Sequence, residues 1–113
     1  MGGGAAVELT LVTQDPGVLR ILVLGEVDLA TSHLLHEAAL QALVLPNVDE
    51  VVFDLSGVPF LDASGVAALM HAYLELAEQG RQVSVAGAAG MVAAVLHITR
   101  ADHKLIPAPT SPR

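Results

Sequence analysis

Short apolar runs alternate with longer segments of helical periodicity along most of the 113-residue chain. The runs at 19–24, 51–55 and 82–86 are typical of strands, and the segments that follow them place apolar side chains three or four residues apart. A helix that connects two strands favours a parallel pair with a right-handed crossover. The alternation therefore predicts an α/β domain in which helices cover a sheet.

The beginning of the chain predicts an antiparallel addition to this sheet. Val7, Leu9 and Leu11 alternate with polar residues, as in a half-buried strand, and the Asp-Pro-Gly sequence at 15–17 favours a turn. The run at 19–24 then pairs back as a hairpin, and because both of its faces are apolar we expect it near the centre of the sheet. The predicted order is β-β-α-β-α-β-α, with a mixed sheet of four or five strands covered by three or four helices.

Capping residues and helix breakers predict where the helices begin and end. The three predicted helices run from Thr31 or Ser32 to about Leu45, from Asp62 or Ser64 to Gly80, and from Ala88 to about Ile98. Leu105 and Ile106 form at most a short extended piece. Residues 1–6 are expected to be a flexible lead and 107–113 a flexible tail, which leaves a single domain over 7–106.

Composition disfavours several classes of function. Twelve Asp and Glu against five Lys and Arg give a formal charge of −7, and aromatic residues make up 3%. Nucleic acids and anionic membrane surfaces both require positive charge, and single-stranded nucleic acids also require stacking surfaces. Without cysteine the chain has no disulfide and no thiolate chemistry. We therefore expect a soluble cytoplasmic protein that contacts neither nucleic acid nor membrane.

One strand–loop–helix segment carries the most chemistry. Residues 54–65 read Asp-Leu-Ser-Gly-Val-Pro-Phe-Leu-Asp-Ala-Ser-Gly, which places Ser64 in the first turn of a helix. The free N–H groups and the dipole of that turn favour a phosphate. Asp62 adds a carboxylate nearby, and Gly65 would leave the hydroxyl approachable by the active site of another protein. The alternative is that Asp62 is only the helix N-cap and Ser64 a second capping hydroxyl.

Two motifs resemble those of the STAS domain family. The first is Gly-Glu-Val-Asp at 25–28, followed by Thr31, and the second comprises Asp-Leu-Ser-Gly-Val at 54–58 and Leu-Asp-Ala-Ser-Gly-Val at 61–66. They occur in the order that the family has, with a predicted helix between them. The resemblance covers about residues 7–106 and is greatest to stand-alone bacterial anti-sigma factor antagonists.

The resemblance implies a partner-switching protein and not an enzyme. In such families the unphosphorylated antagonist binds an anti-sigma factor that is also a serine kinase, and the sigma factor is released. The kinase then phosphorylates the antagonist, and a serine phosphatase reverses the modification. By position, Ser64 is the phosphoacceptor, with Asp28 and Asp62 in the acceptor pocket. The residues that the resemblance assigns to the partner-binding surface are Thr31, Leu61, Gly65 and Val66.

The resemblance implies no cofactor and no metal, and it is compatible with a monomer or a weak homodimer. Relatives often carry a second hydroxyl where this chain has Ala63. That difference makes Ser64 the sole candidate acceptor in this turn.

Three alternatives stay open at this stage. The domain could be a fixed subunit of a stressosome-like scaffold or of a lipid-transport complex, in which Ser64 is never modified. His33 and His36 lie three residues apart beside Glu37, but the sequence offers no third metal ligand. Ser64 as a catalytic nucleophile lacks the flanking glycines of a nucleophile elbow. The sequence thus favours neither metal binding nor catalysis.

Overall fold

A computed structural model describes residues 7–13 and 15–106 as one small α/β domain. Its four strands form a sheet in the order β1-β2-β3-β4. The strands are β1 (Glu8–Val12), β2 (Val18–Leu24), β3 (Glu50–Gly57) and β4 (Gln82–Ala86). β1 is antiparallel to β2, whereas β2, β3 and β4 are parallel. The predicted mixed sheet, its opening hairpin and the central place of β2 are confirmed.

Four α-helices follow or connect the parallel strands. They are α1 (Ser32–Leu40), α2 (Ala63–Glu78), α3 (Gly90–Ile98) and α4 (Asp102–Leu105), and a 3₁₀ turn (Gln41–Leu43) extends α1. The proposed lead at 1–6 and tail at 107–113 lie outside the described residues. Within the described part of the chain, every helix is too short or too polar to cross a bilayer.

Two predicted helix bounds and one predicted element type differ from the structure, and one of these bounds is the start of α3, at Gly90 and not at Ala88. The first helix was expected to continue to about Leu45, but its α-helical part ends at Leu40 and a 3₁₀ turn takes over. The guanidinium of Arg81 donates to the carbonyl of Ala42, so a contact from a distant segment satisfies a carbonyl in this last turn. Leu105 is helical, not extended, because α4 turns its side chain into the core, where it is fully buried.

The two faces of the sheet differ in exposure. Alternate strand residues such as Ile21 and Phe53 are fully buried and form the core together with the helices. The intervening residues point to the other face, where the side chains of Leu22 and Leu24 are exposed. At the carboxyl end of β3, this open face lies beside the loops that follow the parallel strands.

The loops that follow β2 and β3 are joined by backbone hydrogen bonds. Gly25 donates to the carbonyl of Gly57 at 3.1 Å, and Val27 donates to the carbonyl of Phe60 at 2.9 Å. Val27 also pairs with Leu61 in a parallel bridge. The parallel pairing of β2 and β3 therefore continues beyond the strands and brings the two sequence motifs side by side.

Candidate functional site

Asp62 begins α2 and organises its first turn. Its Oδ1 atom accepts hydrogen bonds from the backbone N–H groups of Ser64 at 3.0 Å and of Gly65 at 3.1 Å. The same oxygen accepts the Ser64 hydroxyl at 2.5 Å. Asp62 is thus the N-cap, the first of the two starting residues that the sequence allowed, and Ser64 lies in the first turn as predicted. One carboxylate oxygen holds both the helix end and the candidate acceptor hydroxyl.

The same contacts set the charge of this turn. The hydrogen bond from the Ser64 hydroxyl, followed by those from the Gly65 and Ser64 amides, lowers the pKa of Asp62 against an opposing effect of burial. The carboxylate is therefore ionised at neutral pH. Both Asp62 and Ser64 are half-buried, so Ser64 is partly exposed and its hydroxyl has a fixed negative charge beside it.

Asp28 organises the other loop in a similar way. Its Oδ1 atom accepts the backbone N–H groups of Ala30 at 3.0 Å and of Thr31 at 3.2 Å, together with the Thr31 hydroxyl at 3.2 Å. The Thr31 hydroxyl also accepts from the Asp28 amide. Thr31 occupies the N-cap position of α1 but caps nothing with its side chain. Its hydroxyl rigidifies the loop instead.

The structure brings the two acidic loops to one edge of the sheet. Asp62 donates its N–H to the carbonyl of Val27 at 3.2 Å, so the residue that precedes Asp28 is bonded directly to Asp62. Segments 25–31 and 57–66 contain no Lys or Arg, while Glu26, Asp28 and Asp62 are acidic. A negative ligand finds no cation in these two loops, and their carboxylates oppose further negative charge.

Three residues assigned to the partner-binding surface lie inside the domain. Leu61 is 0% exposed and Val66 is 7% exposed, and Gly65 is also buried. A Cβ atom on Gly65 would lie 2.3 Å from Cδ1 of Leu61 and 2.9 Å from Cγ1 of Val27. In the free domain these three residues are therefore packing residues, and their predicted part in partner binding stays a prediction. The absence of a side chain at Gly65 lets α2 pack closely against the paired loops.

Leu29 is a surface residue of this site that the sequence analysis missed. Its side chain is 80% exposed, the highest value among the large hydrophobic residues of the described chain. The loop that carries it is held by Asp28, so the side chain is presented from a rigid turn. Its position in a loop gave no signal of exposure, because another apolar loop residue, Val58, is buried.

The histidine side chains do not form the metal site that was considered for His33 and His36. His36 bonds to the carboxylate of Glu75 and meets the ring of His71 edge-on, with ring centroids 6.1 Å apart. These contacts join α1 to α2, and His33 is exposed. Within residues 7–13 and 15–106, no three His, Asp or Glu side chains are arranged to hold a metal ion.

Comparison with known proteins gives a consistent family. The sequence profile of a family described as "Mlab, STAS domain" matches residues 10–107. An anti-sigma factor antagonist from Mycobacterium paratuberculosis is 28% identical with a TM-score of 0.73, over 93% of this chain and 87% of that one. No curated protein matches the chain significantly.

Two solved forms of SpoIIAA share the fold. The anti-sigma factor antagonist SpoIIAA in its unphosphorylated form is 16% identical, with a TM-score of 0.64, over 80% of this chain and 83% of that one. The Bacillus cell fate determinant SpoIIAA in its phosphorylated form is 18% identical, with a TM-score of 0.63, over 90% and 92%. At these identities the likeness concerns the fold alone.

The packing of Gly65 can be tested by substitution. We expect Gly65→Ala to lower the free energy of unfolding by about 1–3 kcal/mol, because the added methyl group overlaps the Leu61 side chain. Denaturant unfolding followed by circular dichroism measures the change. The variant Gly65→Ala/Leu61→Ala lacks the clashing atom and should lose less stability than the two single changes added together. Strict additivity would contradict this explanation.

The lowered pKa of Asp62 predicts a pH dependence of stability. Above its usual pKa of 3.8 the ionised carboxylate stabilises the fold, and this contribution is lost as the pH falls below that value and through the lowered folded pKa. Asp62→Asn keeps a capping oxygen but does not titrate. Its unfolding free energy should therefore fall less steeply than that of the wild type between about pH 5 and pH 3. Parallel curves would show that Asp62 does not contribute.

Proposed function

The chain belongs to the STAS domain family, and we propose that within this family it is an anti-sigma factor antagonist switched at Ser64. While Ser64 carries a free hydroxyl, the protein binds an anti-sigma factor serine kinase and the sigma factor is freed. Phosphorylation of Ser64 ends the binding, and a serine phosphatase restores it. The protein acts in the cytoplasm as a binding module without catalytic activity of its own.

One observation carries this proposal. Ser64 is a half-buried residue in the first turn of α2, and the ionised Asp62 holds its hydroxyl there. The joined loop with Asp28 and Leu29 lies at the same edge of the sheet. The 28% identical neighbour is an anti-sigma factor antagonist, and SpoIIAA, with the same fold, has been solved in a phosphorylated form. Both neighbours support the assignment.

The physical effect of a phosphate here supports a switch that acts through binding. Phosphorylation adds about −1.5 to −2 charges at neutral pH. The dipole at the N-terminus of α2 stabilises that charge by roughly 0.3–1 kcal/mol, so the free energy of folding changes little. A desolvated charge beside Asp62 at an interface typically costs several kcal/mol. Since about 1.4 kcal/mol changes affinity tenfold, one phosphate is enough to end docking.

A second candidate function rests on the description of the matching family. That description is "Mlab, STAS domain" and names no anti-sigma factor antagonist. The chain would then be a fixed subunit of a larger assembly, of the lipid-transport or stressosome-like kind, and Ser64 would stay unmodified. Co-purification of the native chain with a transporter ATPase or a large particle, without phosphate at Ser64, would favour this function over the first.

Two substitutions of Ser64 test the proposed phosphorylation switch. Ser64→Ala protein captures its partner from a lysate of the source cells, and mass spectrometry identifies a kinase among the captured proteins. With that purified kinase, Ser64→Ala should bind as tightly as the unphosphorylated wild type, while Ser64→Asp should bind at least about tenfold more weakly. Isothermal calorimetry measures both affinities.

A control separates this effect from a general effect of charge. Gln79→Glu adds one negative charge at the opposite end of α2, beyond its last residue, and should leave the affinity unchanged. Equal binding of Ser64→Asp and wild type would contradict the proposal. Incubation with the kinase and ATP, followed by peptide mapping, must also place phosphate on Ser64.

Leu29 is expected to anchor the same partner. A rigidly presented apolar side chain that is 80% exposed in the free protein gains the most from burial in a partner's pocket. Leu29→Ala should therefore weaken kinase binding about tenfold or more without lowering the free energy of unfolding. Val44→Ala is the matched control, because Val44 is 75% exposed and follows the 3₁₀ turn at the far end of α1. Similar losses for the two variants would rule out a special role for Leu29.

A further inference from the structure

A second serine repeats the local arrangement of Ser64. The sequence Asp-x-Ser-Gly occurs twice, at 54–57 and at 62–65, and only Ser56 and Ser64 of the five serines lie in it. In the first copy the Ser56 amide donates to Oδ1 of Asp54 at 3.0 Å and its hydroxyl donates to the same atom at 2.6 Å. The corresponding distances in the second copy are 3.0 and 2.5 Å. The two serines are thus held in the same way by the same kind of carboxylate.

Ser56 is a more exposed residue than Ser64. Ser56 is exposed near the end of β3, on the open face of the sheet, whereas Ser64 is half-buried. The backbone of Gly87 lies directly beside it, with a φ of +75°, and a Cβ there would be 3.0 Å from Cβ of Ser56. Because position 87 has no side chain, it places no Cβ against this serine.

The charge around Ser56 differs from that around Ser64. Arg20 donates from Nη2 to Oδ2 of Asp54 at 3.1 Å, on the carboxylate oxygen that Ser56 leaves free. Hydrogen bonds from Ser56, together with Arg20, lower the pKa of Asp54 against an opposing effect of burial, so this carboxylate is ionised at neutral pH. A guanidinium with five donors can bond a phosphate on Ser56 while it stays near Asp54. The two loops around Ser64 hold no such cation.

We propose that Ser56 is a second phosphoacceptor of this protein, modified by the same ATP-dependent serine kinase; this inference rests on the proposed function. The Ser56 Oγ atom attacks the γ-phosphorus of ATP, the bond from that phosphorus to the β,γ-bridging oxygen breaks, and ADP leaves with the bond's electron pair. The hydroxyl proton passes to the kinase's general base. Arg20 then pairs with the new phosphate, which stays on the open face of the sheet.

Four proteins and the captured kinase test this inference: the wild type, Ser56→Ala, Ser64→Ala and the double variant. After incubation with the kinase and MgATP, intact-mass spectrometry counts phosphates and peptide fragmentation places them. We expect phosphate on both serines of the wild type, on Ser56 alone in Ser64→Ala, on Ser64 alone in Ser56→Ala, and on neither in the double variant. Circular dichroism verifies that each variant is folded.

The outcomes distinguish this inference from the proposed function. Phosphate on Ser64 of the wild type and of Ser56→Ala, with none on Ser64→Ala, overturns the role of Ser56 and leaves the switch intact. Absence of phosphate from all four proteins overturns both. An additional variant, Arg20→Gln, removes the cation and should leave Ser64 labelling unchanged while it speeds the removal of phosphate from Ser56 by a serine phosphatase. Equal removal rates would show that Arg20 does not hold the phosphate.

Discussion

The pairing of two loops beyond the ends of β2 and β3 is the interaction on which the site depends. Backbone bonds between Val27 and the 60–62 segment align the two loops, and each loop is then organised by its own aspartate. The pairing leaves no space for a side chain at position 65, where α2 meets Val27 and Leu61. A small rigid platform results, in which hydroxyl, carboxylates and one exposed leucine keep fixed relative positions.

The charged side chains of this platform are all acidic. Asp28 and Asp62 accept several hydrogen bonds each, and within residues 7–13 and 15–106 neither bonds to a basic side chain. Negative charge added near Ser64 would be favoured by the helix dipole and opposed by the Asp62 carboxylate. The Asp54 site on the open face has the opposite character, because Arg20 is already bonded there. Two serines with equal local geometry thus differ in what surrounds them.

Local pattern was sufficient for most of the architecture. The β-β-α-β-α-β-α order, the antiparallel opening hairpin and the cap at Asp62 all follow from periodicity, turn residues and capping chemistry, which act over a few residues. The errors occur where distant segments meet. The first helix tightens where Arg81 reaches the carbonyl of Ala42, and Leu105 becomes helical because the core buries it.

The family, the order of the elements and the position of Ser64 in the first turn of α2 could all be predicted from the residues and their spacing. The exposure of the residues around Ser64 could not, because it depends on how the folded chain packs. Gly65, Leu61 and Val66 are buried, while Leu29 is exposed. The position of a residue in a motif does not show whether it is buried. Burial here depends on the backbone pairing of two loops, which joins Val27 to Leu61 across 34 residues of sequence.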